Sequence, residues 1–281
     1  KATITDTSGN ATTGTVSDTT LTVDQTAATI STSSIASDNA TVTLAKTGDT
    51  VTLTIATNEN VSSPTVTFTS GGAAATNADT VSGASPGTSF TSAYTVDASD
   101  TDGTVAISIT ATDVAGNTTS GFTTISAGSV TVDQTAPASQ KTQGVVTTGG
   151  DNQVAGYWNS GNTGVDITVP IADDSSINGG TVQLLVSTDG GGSFVPLDTP
   201  STISAVNTNK TISVASGVLE GVAGFGESHV LRFKATITDT SGNATTGTVS
   251  DTTLTVDQTA ATISTSSIAS DNETVTLAKT G

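Results

Sequence analysis

Hydrophobic and polar residues alternate with a period of two along much of this 281-residue chain. The clearest run places apolar side chains on one face, at Val105, Ile107, Ile109 and Ala111. The same alternation recurs at 51–55 and 66–68, with threonine between the apolar positions. Such a pattern predicts β-strands with one buried face. No window of similar length keeps a helical period, and the one helix candidate is a short turn near 217–222. The chain is therefore predicted to be all-β.

An internal duplication organises the chain. Residues 1–48 recur at 234–281, at an offset of 233 residues, with Ala40 replaced by Glu273 as the one difference. Two shorter markers subdivide that period: Val-Asp-Gln-Thr-Ala at 23–27, 132–136 and 256–260, and Asp-x-x-Gly-Asn at 6–10, 113–117 and 239–243. The spacings of 109 and 124 residues between markers indicate two unlike domains that alternate in an array.

The markers predict four segments. Residues 1–26 end a long-type domain, 27–136 form a short-type domain, 137–260 form a long-type domain, and 261–281 begin the next short-type one. Each whole domain is expected to contain about seven strands, which is typical of an immunoglobulin-like sandwich. The strands are predicted near 28–34, 50–57, 64–69, 73–80, 89–96, 104–112 and 122–132, then near 153–158, 164–171, 181–188, 193–198, 209–214, 229–238 and 246–257. The predicted fold is a linear array of tandem immunoglobulin-like β-sandwiches.

Three motifs carry a resemblance that covers essentially the whole chain. They are Val-Asp-x-Thr-Ala-Pro at a domain junction, Asp-x-x-Gly-Asn before the last strand, and Lys-x-Gly-Asp-Thr-Val-Thr-Leu at 46–53. Together they resemble the bacterial Ig-like tandem repeats of large secreted adhesins of the type I-secreted, RTX and biofilm class. The resemblance implies a cell-surface extender region, often calcium-dependent, that holds an adhesive tip away from the cell. It implies no particular receptor.

The charge and composition of the chain restrict the classes of partner that it can bind. Asp and Glu outnumber Lys and Arg by 25 to 7, so the net charge of −18 argues against a nucleic acid or an anionic membrane surface. Cysteine is absent, which excludes disulfides and thiolate chemistry. Twenty-five carboxylates in a disulfide-free β-protein suggest calcium as the stabilising element. The start at Lys1 is neither an initiator methionine nor a signal peptide, so the chain is expected to be part of a longer extracellular protein.

Calcium ligands are predicted at the domain junctions. In this topology the B–C and F–G loops lie beside the entering linker, and the A–B and E–F loops lie beside the exit linker. For the junction between the short and long domains, the candidates are Asp133, Asp38, Asn39, Asp97, Asp100, Asp102, Asp173, Asp174, Asp239 and Asn243. For the junction between the long and short domains, they are Asp24, Glu59, Asp113 and Asn117, with Glu220 and Glu227 from the lower loops. The alternative is that turn Asp and Asn side chains bond only their own backbone.

Other motifs favour structural roles. Asp97–Gly103 lacks the spacing and the late Glu of an EF-hand. Ser187–Phe194 resembles an Asp-box hairpin, which stabilises a turn. His229, the sole histidine, is expected on the F strand in support of the core, and Tyr157 and Trp158 are expected on the first strand at the domain edge. No nucleophile elbow, zinc motif or phosphate loop is present, so an enzyme is not predicted.

The predicted function is a non-enzymatic extender of a bacterial cell-surface adhesin, stiffened by calcium at its joints. Its partners would be neighbouring repeats, with a receptor or glycan bound through other domains. Two alternatives remain: a glycan-binding module using the edge at Tyr157 and Trp158, and an Ig-like linker of a secreted polysaccharide hydrolase. Residues 1–26 and 261–281 are expected to be poorly protected from hydrogen exchange, because neither segment can bury a face alone.

Overall fold

The computed structural model describes residues 1–15, 21–77, 81–150 and 152–266. The chain divides into two compact units, Lys1–Thr135 and Ala136–Gly281. The boundaries predicted after residues 26, 136 and 260 stay predictions. No helix in the described ranges has the length and apolar character needed to cross a membrane.

The first unit begins with a hairpin and continues as a two-sheet sandwich. The hairpin strands are β1 (Thr3–Thr5) and β2 (Ala11–Thr13). The sandwich strands are β3 (Ile30–Ser37), β4 (Leu44–Ala45), β5 (Thr50–Val61), β6 (Thr65–Ser70), β7 (Ala73–Ala74), β8 (Gly87–Thr95), β9 (Gly103–Thr112), β10 (Thr118–Phe122) and β11 (Thr131–Val132). One sheet has the order β3-β5-β8, and the other has the order β4-β11-β9-β6-β7 with β10 on β9. The β4–β11 pair is parallel, and the remaining pairs are antiparallel.

The second unit repeats this topology strand for strand. Its strands are β12 (Gln143–Thr148), β13 (Tyr157–Trp158), β14 (Gly164–Ile171), β15 (Thr181–Ser187), β16 (Val195–Thr202), β17 (Thr208–Ala215), β18 (Val230–Thr238), β19 (Ala244–Thr246) and β20 (Leu254–Val256). The sheets have the orders β12-β14-β17 and β13-β20-β18-β15-β16, with β19 on β18. A 3-10 helix spans Ser175–Ile177 and a short α-helix, α1, spans Ser216–Glu220. Both units are immunoglobulin-like β-sandwiches, which confirms the predicted fold class.

Each sandwich has its own apolar core between the two sheets. The predicted inward residues of β9 and of β18 are all buried, and these are Val105, Ile107, Ile109, Ala111, Leu231, Phe233, Ala235 and Ile237. Trp158 is the largest fully buried side chain of the second core. Tyr94 and Phe68 lie 5.1 Å apart between ring centroids in the first. Because the strand period places these side chains on one face, the alternation in the sequence is sufficient to predict the core.

The structure corrects several predicted strands. The first strand of the second unit lies at Gln143–Thr148, and the predicted 153–158 contributes only the two residues of β13. The predicted last strands, 122–132 and 246–257, are each interrupted between two short strands. The interruption in the second unit contains Gly247, where a Cβ atom would meet the Gln140 carbonyl oxygen at 1.8 Å. Of the predicted 73–80, only Ala73–Ala74 is a strand, and 78–80 lie outside the described residues.

Residues 1–15 form the hairpin that their duplicate forms at 234–248. Thr3 pairs with Thr13 as Thr236 pairs with Thr246, and the hydroxyl oxygens of each pair are 2.8 Å apart. The burial differs, since Ile4 is 76% exposed whereas Ile237 is 2% exposed. The hairpin register is therefore fixed by local sequence, and its burial is supplied by the rest of a sandwich. The predicted structure of 261–281 falls mainly outside the described residues.

Candidate metal centre

The Asp-x-x-Gly-Asn motif folds into the same turn in all three copies. In the F–G turn of the first unit, the Asp113 carboxylate accepts hydrogen bonds from the backbone N–H and the side-chain Nδ2 of Asn117, both at 2.9 Å. Gly116 adopts the positive φ of +96° that the turn requires. The Asn117 side-chain hydrogen bond is the main cause that lowers the pKa of Asp113. Asp113 is thus held as a charged carboxylate in a fixed position.

Asp113 lies within a group of three carboxylates at the end of the first sandwich. Asp24 comes from the entering linker, Glu59 from the end of β5, and Asp113 from the turn after β9. One ligand oxygen from each side chain lies within 4.8 Å of the other two. Asp24 is exposed, Glu59 is partly buried, and Asp113 is 3% exposed. These three side chains are the carboxylate cluster, and all were predicted from the sequence.

Among the described residues, the carboxylate cluster makes no identified ion pair. Asn117 Nδ2 donates to the backbone carbonyl of Asp24 at 3.2 Å, which ties the linker to the turn. The ion pairs identified among the described residues are Lys46–Asp49 and Lys141–Asp251, and neither involves the cluster. Three carboxylates at this separation repel one another, and an all-oxygen donor set is what Ca²⁺ and Mg²⁺ prefer. Within the described ranges this is the one group of three or more acidic or histidine side chains with metal-ligand spacing.

The predicted residues at the opposite end of the first sandwich are held by separate partners. Asp38 Oδ1 accepts from the backbone N–H of Thr50 at 2.7 Å. Asp100 is buried, and its Oδ1 accepts from the N–H and the hydroxyl of Thr76, both at 3.2 Å. Its Oδ2 accepts from the backbone N–H of Asp97 at 2.9 Å. Asn39 caps the neighbouring loop through a 2.7 Å bond from its Nδ2 to Asp49. These side chains build their own turns, which is the structural role left open by the sequence.

Asp102 and Asp133 both bond the linker that leaves the first sandwich. Asp102 Oδ1 accepts from the backbone N–H of Gln134 at 2.9 Å, and Oδ2 accepts from the Thr135 hydroxyl at 2.7 Å. Asp133 Oδ1 accepts from the Thr135 N–H at 3.1 Å, while its own N–H donates to the Ala45 carbonyl at 2.8 Å. The linker is thereby fastened to the sandwich that it leaves.

In the second unit, the predicted ligands lie at the B–C loop and the F–G turn. Asp174 caps the 3-10 helix, accepting from the N–H and the hydroxyl of Ser176 at 2.9 and 2.7 Å. Asp173 precedes it on the same loop and is exposed. Asp239 repeats the Asp113 turn, with Asn243 donating from its N–H at 2.8 Å and from Nδ2 at 3.0 Å. The predicted calcium site that joins these residues to Asp133 stays a prediction.

Two other motifs have structural roles. Asp189 accepts from the Ser187 hydroxyl at 2.6 Å and from the Ser193 N–H and hydroxyl, and these bonds, led by Ser187, lower its pKa. This is the hairpin turn predicted from the sequence. His229 is exposed and lies in the loop before β18 rather than on the strand, with its Nδ1 2.6 Å from the Gly224 carbonyl oxygen. Its predicted position on the F strand is therefore wrong by one residue, and its predicted structural role stays a prediction.

The adjacent aromatic residues of β13 face opposite ways. Trp158 is completely buried, packs edge-on against Phe225, and donates from Nε1 to Glu220 Oε1 at 3.0 Å. Tyr157 is 46% exposed. The predicted edge position applies to Tyr157, whereas Trp158 belongs to the core because residues on a strand alternate between its faces.

Comparison with solved structures finds matches at low sequence identity and low TM-score. The chain is similar to domains A168-A170 from titin, with 14% identity and a TM-score of 0.42, over 81% of this chain and 68% of that one. It is similar to a tetra-tandem repeat in the extending region of a large adhesion protein, with 21% identity and a TM-score of 0.28, over 91% and 55% of the two chains. No protein-family model and no curated protein matches the chain. At these identities no residue role transfers to this chain.

Proposed function

We propose that this chain is part of a non-enzymatic extender region of a bacterial cell-surface adhesin, in which tandem sandwiches act as a spacer. The supporting observation is that two unlike sandwiches of one topology alternate, with a near-identical copy of 48 residues recurring after 233. Copying whole domains increases the reach of an array, whereas an active site gains little from copied scaffolding. The proposal places the chain outside the cell.

Calcium at the joints is the second part of the proposal. The carboxylate cluster combines a linker residue, Asp24, with Glu59 at the end of β5 and Asp113 in the turn after β9. A cation bound there would fasten the linker to the first sandwich, and without it the three charges repel. Extracellular calcium sites bind at about 10⁻⁴–10⁻³ M, so millimolar external calcium would fill such a site and cytosolic calcium would not. The array would then stiffen after export.

The same residue types recur in the sequence around the next linker. Asp133 recurs at the position of Asp24, Asp239 at that of Asp113, and Asn243 at that of Asn117. Asp173 and Asp174 follow β14 as Glu59 ends β5, so they are the counterparts on the B–C loop. The calcium site expected from the sequence at these residues stays a prediction.

The test is calcium binding by the whole chain, measured by isothermal titration calorimetry and by thermal unfolding with calcium and with chelator. We expect wild type to bind calcium at the carboxylate cluster with a rise in melting temperature, and Asp113→Asn to lose that binding. Asp166→Asn is the matched control, because Asp166 lies on β14 of the second unit and accepts a hydrogen bond from the Ser213 hydroxyl at 2.6 Å. Small-angle scattering should give a larger maximum dimension in calcium. No binding at 10 mM calcium would refute the calcium proposal and leave the spacer proposal standing.

A glycan-binding module is the alternative that one observation favours. Exposed Tyr157 lines a concavity of about 240 Å³ together with Val154, Asn159 and Asp257, and an exposed aromatic ring beside polar groups can stack on a sugar. Tyr157→Ala is the variant for a glycan array, since Trp158→Ala would open the core. Specific glycan binding that is lost in Tyr157→Ala would favour the module. The second alternative, a linker of a polysaccharide hydrolase, predicts a catalytic domain in the neighbouring sequence.

A further inference from the structure

The recurring Val-Asp-Gln-Thr segment leaves both complete sandwiches along the same path. Val132 and Val256 are buried at the ends of β11 and β20, each in a short parallel pair with β4 or β13. The next N–H group, of Asp133 or Asp257, donates at 2.8 Å to a carbonyl of that partner strand. The first residue of each linker is therefore still part of the sheet.

The glutamine that follows is bonded through its backbone and its side chain. Gln134 donates from its backbone N–H to Asp102 Oδ1 at 2.9 Å and from Nε2 to the Asp100 carbonyl oxygen at 2.8 Å. Its Oε1 accepts from the Thr47 hydroxyl. Gln134 thus contacts both the E–F loop, between β8 and β9, and the A–B loop, between β4 and β5, of the sandwich that precedes it.

Gln258 makes the corresponding bonds in the second unit with different partners. Its backbone N–H donates to Glu227 Oε2 and its Nε2 donates to Glu220 Oε1, both at 2.8 Å. Glu220 Oε1 also accepts from Nε1 of buried Trp158 at 3.0 Å. The acceptors in the two units are unrelated in sequence, yet each supplies one carboxylate for the backbone N–H and one oxygen for Nε2. Two unrelated sets of loops provide the same kinds of hydrogen bond to this glutamine, which indicates that the glutamine has a role in holding the linker.

We propose that Gln134 and Gln258 are positioning residues that fasten each linker to the sandwich it leaves, without any metal ion. This pair of contacts is the linker clasp. The inference rests on the proposed extender role, because the clasp holds Asp133 and Asp257 against the sandwich that each linker leaves. Neither glutamine was predicted as a functional residue, although the glutamine recurs unchanged in all three copies of the Val-Asp-Gln-Thr-Ala marker.

Hydrogen exchange of the whole chain in chelator tests the clasp. We expect the amides of Gln134 and Gln258 to be protected without calcium. In Gln258→Ala, exchange at 257–259 should accelerate about five- to tenfold, because a hydrogen bond is worth about 1 kcal/mol. Gln134→Ala should produce the same change at 133–135 and none at 257–259, so each variant is the control for the other.

The emission of Trp158 gives a second readout, since it is the sole tryptophan and shares Glu220 with Gln258. We expect a changed emission in Gln258→Ala and wild-type emission in Gln134→Ala. Linker amides that are protected only in calcium, or protection that survives both substitutions, would overturn the clasp. If calcium does not bind at all but the amides are protected and the variants lose protection, the clasp stands and the calcium proposal fails.

Discussion

Replacing Glu59 by glutamine removes one charge from the carboxylate cluster and nearly preserves the side-chain volume. Glu59 has two carboxylate neighbours within 4.8 Å, Asp24 and Asp113. At that distance two unit charges repel by about 0.9 kcal/mol at the dielectric constant of water and by about 3.5 kcal/mol at an effective value of 20. Because Asp24 is exposed, the water value is the better guide. Glu59→Gln removes both repulsions, which together amount to about 1.7 kcal/mol in water. Screening by about 0.15 M salt, with a Debye length of about 8 Å, reduces this by roughly half. The variant should therefore stabilise the first unit by about 1 kcal/mol in chelator, raising its melting temperature by about 4 °C.

Calcium should reverse the order of the melting temperatures of wild type and Glu59→Gln. At a tenfold excess over Kd, an ion that binds only the folded state stabilises wild type by about 1.4 kcal/mol, and the variant gains much less because it has lost a ligand. Wild type should then melt above Glu59→Gln in calcium and below it in chelator. A single substitution with opposite effects in the two buffers is a sharper result than a loss of binding alone.

The assay is calorimetric unfolding of the whole chain in EGTA and in 10 mM calcium, with Trp158 emission identifying the transition of the second unit. Asp166→Asn is the control for the change in net charge and should leave the first transition unchanged in both buffers. If Glu59→Gln lowers the melting temperature in chelator, the carboxylates do not repel as their distances require. If calcium raises the melting temperatures of wild type and Glu59→Gln equally, the ion does not bind at the carboxylate cluster.

Three further outcomes follow from the first unit. The Tyr94 hydroxyl is buried without a hydrogen-bond partner among the described residues, and burial raises its pKa to about 12. The free energy of unfolding of Tyr94→Phe in urea should therefore equal that of wild type or exceed it by up to about 1 kcal/mol. The variant should also lack the loss of stability that the raised pKa predicts for wild type above pH 10. The hydrogen bond from the Asn117 side chain lowers the pKa of Asp113. The stability that this bond adds is therefore present above the ordinary pKa of 3.8 and is lost as the pH falls below it. Acid unfolding followed by circular dichroism should show that Asn117→Ala loses less stability below pH 4 than wild type does. Gly128→Ala should prevent folding of the first unit or lower its melting temperature far more than Gly116→Ala does. A Cβ atom at Gly128 would meet the Ile35 carbonyl oxygen at 2.2 Å, whereas one at Gly116 would meet nothing within 4 Å. Equal effects would show that the positive φ alone determines the loss of stability.

The sequence predicted strands whose apolar residues alternate, and it missed β12, in which they do not, as well as the two-residue β4. β9 and β18 place an apolar residue at every second position, so their faces were assigned correctly. β12 buries Thr147 beside Val145 and exposes Val146, and its register shifts at Gly144, so it has no apolar period to detect. An inward face that is partly polar, combined with a bulge, removes the signal on which the prediction depends.

The carboxylate cluster was predictable because topology, rather than contact detail, brings its members together. Segments that precede or follow particular strands of a sandwich meet at one end, and this is why Asp24, Glu59 and Asp113 lie close together, while their role as calcium ligands stays a prediction. Counting carboxylates could not show that Asp100 is turned into its own loop by Thr76. That outcome depends on which backbone N–H groups a folded turn leaves unbonded, and the sequence does not specify it.

The hairpin shared by residues 1–15 and 234–248 bears on how such a chain avoids misassembly. Because the two copies have the same sequence and the same register, either could in principle pair with β15 and complete the second sandwich, which is the condition for strand exchange between repeats. The equivalent hairpin of the first sandwich, β9 with β10, has a different sequence and cannot substitute for it. Alternation of two unlike domains therefore keeps interchangeable strands 233 residues apart, and the chance of their meeting falls as the connecting chain lengthens. Sequence difference between neighbours protects the array during folding even where identity between alternate repeats is nearly complete.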